Sequence, residues 1–234
     1  MTTACAAGHY CPTGTVSATS HPCPYGTYSD STSLISMGDC TICPKGFTCA
    51  MGCTSNSFSD CTVGNYCPAG TYNASDVPCP GGTYSDVAKL SRVTQCIQCL
   101  PGSYCSGGGP SVSGPCTAGY VCPPGSVIPT QYPCPAGTFS SDTDLFDLSQ
   151  CTPCPPGSYC PLASTSITSC PAGTYASAYN TQSPGPGIYP SCLPCTAGSY
   201  CTLNSPEALP CGVGYYSPPL SASCYLCPSG HYCG

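Results

Sequence analysis

Tryptophan is missing from this chain, and basic residues nearly so: three Lys and Arg in 234 residues. Nothing here can neutralise a row of phosphates, because that needs clustered cations, so nucleic acid and anionic lipid are excluded as partners. Charge of either sign is scarce, with Asp, Glu, Lys and Arg at 5% of residues, where a soluble domain carries about a quarter. Leu, Ile, Val and Phe are scarce as well, together about 13% of the chain against the roughly 20% at which a chain buries a core of its own. A single large hydrophobic core is excluded. Long apolar runs are absent too, none nearing the ~18 residues of a membrane span, so no membrane insertion is expected within this segment. The opening residues, Met1 to Cys5, lack the basic and apolar regions of a secretory signal. The final Cys233 and Gly234 stop inside a repeat, so the sequence reads as a piece of a longer repetitive protein.

Cysteine, proline and glycine are abundant instead, at 27, 29 and 27 residues. Disorder would fit the missing core, but disordered chains are charged and poor in cysteine. Covalent bridges must replace the core. Such bridges persist only in an oxidising compartment, which places the protein outside the cell or on its surface. The rival reading is a cytosolic metal-thiolate protein, and the 18 Tyr at recurring distances from Cys argue against it. Ser and Thr supply a quarter of the chain, so either sugars cover the surface or copies pack against one another.

The cysteines reveal an internal repeat. Cys5, Cys11, Cys23 and Cys40 follow the pattern C-x5-C-x11-C-x16-C, and Cys61, Cys67, Cys79, Cys96 and then Cys116, Cys122, Cys134, Cys151 repeat it unchanged. Two looser units follow, C-x5-C-x9-C-x21-C and then C-x5-C-x9-C-x12-C. Four-cysteine repeats therefore span 5–42, 61–98, 116–153, 154–194 and 195–226. Short repeats span 43–60 and 99–115, and a truncated repeat occupies 227–234.

Four cysteines allow three pairings. A loop whose length varies while its neighbour stays at x5 is most simply closed separately, and Cys99 and Cys105 have no further cysteine before Cys116. On this pairing each C-x5-C closes on itself: Cys5–Cys11, Cys43–Cys49, Cys61–Cys67, Cys99–Cys105, Cys116–Cys122, Cys154–Cys160, Cys195–Cys201 and Cys227–Cys233. The variable loops are Cys23–Cys40, Cys79–Cys96, Cys134–Cys151, Cys170–Cys192 and Cys211–Cys224. A crossed pattern, first to third and second to fourth, is the alternative that spacing leaves open. Cys53 is the odd thiol, free or joined to a neighbouring chain.

Gly sits three residues after the first Cys of every small loop, as at Gly8, Gly64 and Gly157, and supplies the reversal that a bridge needs. The third cysteine opens a second signature, Cys-Pro-x-Gly-Thr-Tyr or its Phe variant, at Cys23, Cys79, Cys134 and Cys170. Pro and Gly make the turn, and the Thr-aromatic pair begins a short strand. The expected fold is small and disulfide-rich: tandem short β-hairpin modules stacked into an elongated rod, with almost no helix and an aromatic lying over a disulfide.

CPxGTYS, a CxxC junction and then CxxGxYC resemble the ephrin-receptor-like cysteine-rich repeats, which are similar to EGF-like and TNF-receptor-like modules. The resemblance covers nearly all of the chain. It implies closure of the CPxGTY cysteine onto the first cysteine of CxxC. Such modules build receptor ectodomains, secreted matrix proteins and surface filaments alike, so the resemblance specifies the module and not its role.

Other candidates are sparse. The five CxxC pairs lack the βαβ context of a redox centre and a second pair at zinc-finger spacing, and read as unit junctions. His9 and His231 share a slot held by Asn65 and Ser103 elsewhere, and His21 is the third histidine. Asp142, Asp144 and Asp147 lack the Gly and terminal Glu of a calcium loop. No metal, cofactor or catalytic set is expected, and so no enzyme. Asn73-Ala74-Ser75 is the one N-glycosylation sequon. The expected function is a structural component of an extracellular filament, matrix or cell-surface coat, with self-association, other extracellular proteins and glycans as partners. The alternative is a stalk or ligand-binding ectodomain of a surface receptor or adhesion protein.

Overall fold

The computed structural model describes residues 3–177 and 192–233. The stretch 178–191, inside the expected repeat 154–194, lies outside the described residues, as do Met1, Thr2 and Gly234. The chain forms two compact units, Met1–Gly114 with Pro124–Ile128 and Pro115–Pro123 with Pro129–Gly234. Among the described residues there is no α-helix, and ten two-stranded sheets have strands two residues long. This is the small, disulfide-rich, hairpin-based and almost helix-free architecture that the composition predicts. Among the described residues no helix is long and apolar enough to cross a membrane.

The hairpins start where the CPxGT signature places them. Pro80 turns the chain, and its carbonyl accepts from both the Thr83 N–H at 3.0 Å and the Thr83 hydroxyl at 2.7 Å. The same doubled contact joins Thr27 to Pro24, Thr138 to Pro135 and Thr174 to Pro171. Thr is therefore a turn-closing residue here as well as a strand former. In the first unit Thr83–Tyr84 then pairs antiparallel with Ile97–Gln98, and in the second Thr174–Tyr175 pairs with Leu193–Pro194.

Three of the long loops end in a single 3-10 turn, at Met37–Asp39, Val93–Gln95 and Leu148–Gln150. The last side chain of each turn reaches back to cap it. Gln95 Oε1 accepts from Ser91 N–H at 2.8 Å and Arg92 N–H at 3.0 Å, and Gln150 and Asp39 repeat the arrangement. The same back-reaching cap closes all three loops, which share one length.

Sulfur fills the interior. Among the described residues twenty cysteines are buried, and the other buried apolar residues are Leu90, Val121, Leu145 and Ala176. In the first unit Tyr28, Phe47 and Phe58 pack against Cys43, Cys49 and Cys53, with Tyr28 and Phe58 edge to face at 4.8 Å. In the second, Tyr159 lies against Cys170, Ala176 and Cys192. Aromatic rings over sulfur stand where a larger protein stacks aliphatic side chains.

Candidate functional site

The structure closes thirteen bridges, with Cα–Cα separations from 5.7 to 6.1 Å, inside the normal range for disulfides. Eight join cysteines six apart in sequence, such as Cys61 and Cys67. Five close longer loops: Cys23–Cys40, Cys79–Cys96, Cys134–Cys151, Cys170–Cys192 and Cys211–Cys224. In each C-x-x-C pair the two sulfurs enter different bridges, as Cys40 with Cys23 and Cys43 with Cys49.

Both loop types are built on one backbone module that begins at the first cysteine of each bridge, which always opens a Cys-x-x-Gly. Thirteen such starts occur from Cys5 to Cys227, nearly evenly spaced apart from the one long step between Cys170 and Cys195. The four-cysteine unit read from spacing is therefore two copies of a shorter structural element. The sixth residue after the opening cysteine decides the loop type. It is Cys in the small loops, and Ser29, Ser85, Ser140, Ala176 or Ser217 in the long ones.

Consecutive modules are joined by a rung of up to four backbone hydrogen bonds, complete at seven junctions among the described residues. In the first unit, Cys79 N–H donates to the Gly64 carbonyl at 2.9 Å and Gly64 N–H to the Ser85 carbonyl at 2.8 Å. Cys67 N–H donates to the Leu90 carbonyl at 2.8 Å and Lys89 N–H to the Cys61 carbonyl at 2.9 Å. The second unit repeats the rung: Cys195 to Gly173 at 2.9 Å, Gly173 to Cys201 at 2.8 Å, Ala176 to Ser205 at 3.2 Å and Asn204 to Cys170 at 3.0 Å. The first two bonds of the rung each occur eleven times among the described residues. At about 1 kcal/mol net apiece, these bonds form a repeated stabilising term that no side chain needs to supply.

The glycine is the hub of this rung. Gly64 has φ +77°, and a Cβ there would collide with the carbonyl oxygen of Gly108, two modules further along. In the second unit Gly157 has φ +78° and meets the Asn204 carbonyl in the same way. Only a residue without a side chain fits both the backbone angle and the approach.

Cys53 is unpaired and 3% exposed, its sulfur 3.3 Å from the Ser57 hydroxyl and 3.5 Å from the Thr54 carbonyl. An interchain bridge through it would require the module to open first. Its slot holds Thr71, Ser164, Ser205 or Ser221 in other modules, whose hydroxyls donate to nearby carbonyls at 2.6 to 2.9 Å. Asn73 is exposed, its Oδ1 accepting from Ser75 N–H at 3.2 Å and its Nδ2 donating to Asp76 at 2.9 Å.

The remaining polar candidates serve local backbone. His9 Nδ1 lies 3.1 Å from the Ala7 carbonyl, His231 Nδ1 lies 3.4 Å from that of Ser229, and His21 stacks on Tyr10. Asp147 caps Leu148–Gln150, accepting from Ser149 N–H at 2.8 Å. The side chain and backbone of Ser149 hold its carboxyl below the usual carboxylate range. Among the described residues no group of three His, Cys, Asp or Glu side chains is placed to hold a metal ion.

Sequence reasoning missed the turn that closes each rung. Lys89, Ala163, Asn204 and Leu220 have φ between +61° and +66°, and of the four only Asn204 is of a type that favours it. Set against known proteins, the chain matches no family model and no curated relative.

Proposed function

We propose that this chain is a structural segment of an extracellular filament, matrix or cell-surface coat, built from modules that resemble ephrin-receptor-like repeats. The four-bond rung carries this reading. It is made of backbone groups that every module possesses, so a chain of this kind lengthens module by module without a new core. Thirteen bridges call for an oxidising compartment, hence the extracellular placement. With three basic and nine acidic residues, the surface is hydrated by hydroxyls and by sugar at Asn73 or covered by copies packed against each other. No catalytic role is assigned.

Electron microscopy of the native material tests the proposal. Regular fibres or sheets are expected. Separate, unassociated chains with all bridges intact would overturn it in favour of a receptor or adhesion stalk. Intact mass before and after deglycosylation tests the sugar at Asn73.

A further inference from the structure

We propose that two exposed tyrosine pairs, Tyr25 with Tyr72 and Tyr216 with Tyr225, are sites of oxidative phenol coupling that forms a carbon–carbon cross-link within the chain. One pair lies in each compact unit. The ring centroids are 5.5 Å apart in the first and 5.9 Å in the second, with interplanar angles of 53° and 43°. All four side chains are open to solvent, at 58% and 53% for the first pair and 41% and 52% for the second.

The two pairs arise differently. Tyr216 and Tyr225 face each other across a hairpin, in register. Tyr25 and Tyr72 come from modules two apart. Tyr25 occupies the variable position of CPxG, where Gly81, Ala136 and Ala172 stand in other copies. The corresponding contact in the following part of the first unit sets Gly81 against Val127, whose Cγ1 lies 2.9 Å from where a Cβ would be. The fold thus brings this position and its partner together regardless of residue type, and only the Tyr25–Tyr72 copy places two phenols there. Rings this exposed bury little area, so packing contributes little to holding them. The arrangement is better suited to chemistry than to packing.

The chemistry is balanced by a haem peroxidase with hydrogen peroxide as oxidant. Each phenol gives up one hydrogen atom as a proton and an electron. The two phenoxyl radicals join through ring carbons ortho to oxygen, the displaced ring hydrogens return to the oxygens, and one peroxide is reduced to two waters. The product at Tyr25 and Tyr72 spans the module that holds the unpaired Cys53. Unlike a disulfide, it survives reductants. The proposal does not depend on the filament reading, because it concerns a single chain.

The test is peroxidase and hydrogen peroxide applied to dilute protein, followed by isolation of the monomer. Biphenol fluorescence is expected in that fraction, with cross-linked peptides two hydrogens lighter than their sum, joining Tyr25 to Tyr72 and Tyr216 to Tyr225. Tyr72→Phe and Tyr225→Phe keep the rings and each should delete its own cross-link while sparing the other. The double variant should bring monomer fluorescence to background. Persistence of the signal in the double variant, cross-links at other tyrosines in the monomer, or coupling only between chains would overturn the proposal.

Discussion

The two compact units build the same rung-closing turn from different residues. In the first, the turn is mostly glycine: Gly52, Gly70, Gly108 and Gly125, with φ from +68° to +85°. In the second it is Ala163, Asn204 and Leu220, at +61° or +62°. Their N–H groups donate to the preceding module's cysteine carbonyl at 2.9 to 3.0 Å in both units. The bond sets the conformation, and the side chain must follow. A left-handed angle costs a residue such as Ala163 or Leu220 roughly 1–2 kcal/mol and Asn204 less, so the second unit holds strain that the first largely avoids. Lys89 is the first unit's exception. Its ammonium is 3.2 Å from Asp60 and lies over the Phe47 ring, 5.3 Å from the centroid.

A side chain placed at the rung's hub should have the largest effect. Gly64→Ala adds a collision with the Gly108 carbonyl to the penalty of φ +77°, and should cost about 3 kcal/mol or more. Gly198→Ala has a similar angle, +83°, with nothing within 4 Å, and should cost about 1 kcal/mol. Thermal unfolding without reductant measures both. Equal losses would mean that the approach of the carbonyl contributes nothing.

Exchanging the turn residues between units gives the next effect. Ala163→Gly and Leu220→Gly should each raise stability by about 0.5–1 kcal/mol, and Gly70→Ala should lower it by about 1 kcal/mol. The same melting experiment reads the signs, and a loss on Leu220→Gly would show that strain is not stored there.

Cys53→Ser converts the residue after a first-unit turn into the hydroxyl found at Ser164, Ser205 and Ser221. The change in stability should stay below about 1 kcal/mol. A thiol reagent should find no reactive sulfur in the native wild type and one after unfolding without reductant. Fast native labelling would show that this turn is open.

The smallest effect lies in one cap of the second unit. Because the Asp147 carboxyl is held below its ordinary range, its capping contribution is present above the unfolded pKa and is lost as pH falls through the folded one. Amide exchange at Ser149, corrected for its intrinsic pH dependence, should accelerate in that acid window. The turn at Val93–Gln95 has no carboxylate in its cap and should not respond, so equal behaviour would reject the assignment.

Much of the local structure is legible without coordinates. Pro and Gly at Pro80 and Gly82 announce a turn, and Thr83 and Tyr84 announce the strand that leaves it. Scarce aliphatic residues announce that sulfur fills the interior. The equivalence of Gly64 and Gly82 is harder to see, because Cys67 draws the eye to a six-residue loop and Cys96 to a longer one. Cysteine spacing describes covalent closure, whereas the module is defined by hydrogen bonds, whose one mark on residue type is the glycine at the hub.

The amino-acid order by itself determined that this protein folds as short, bridged hairpins with almost no helix. Punctuation by Pro and Gly forbids long elements, and too few apolar side chains exist to hold them. Only the tertiary structure decided that Ala163, Asn204 and Leu220 take a left-handed turn, and that Tyr25 meets Tyr72. Both depend on which groups another module brings close, a property of the stacked backbone rather than of any local stretch.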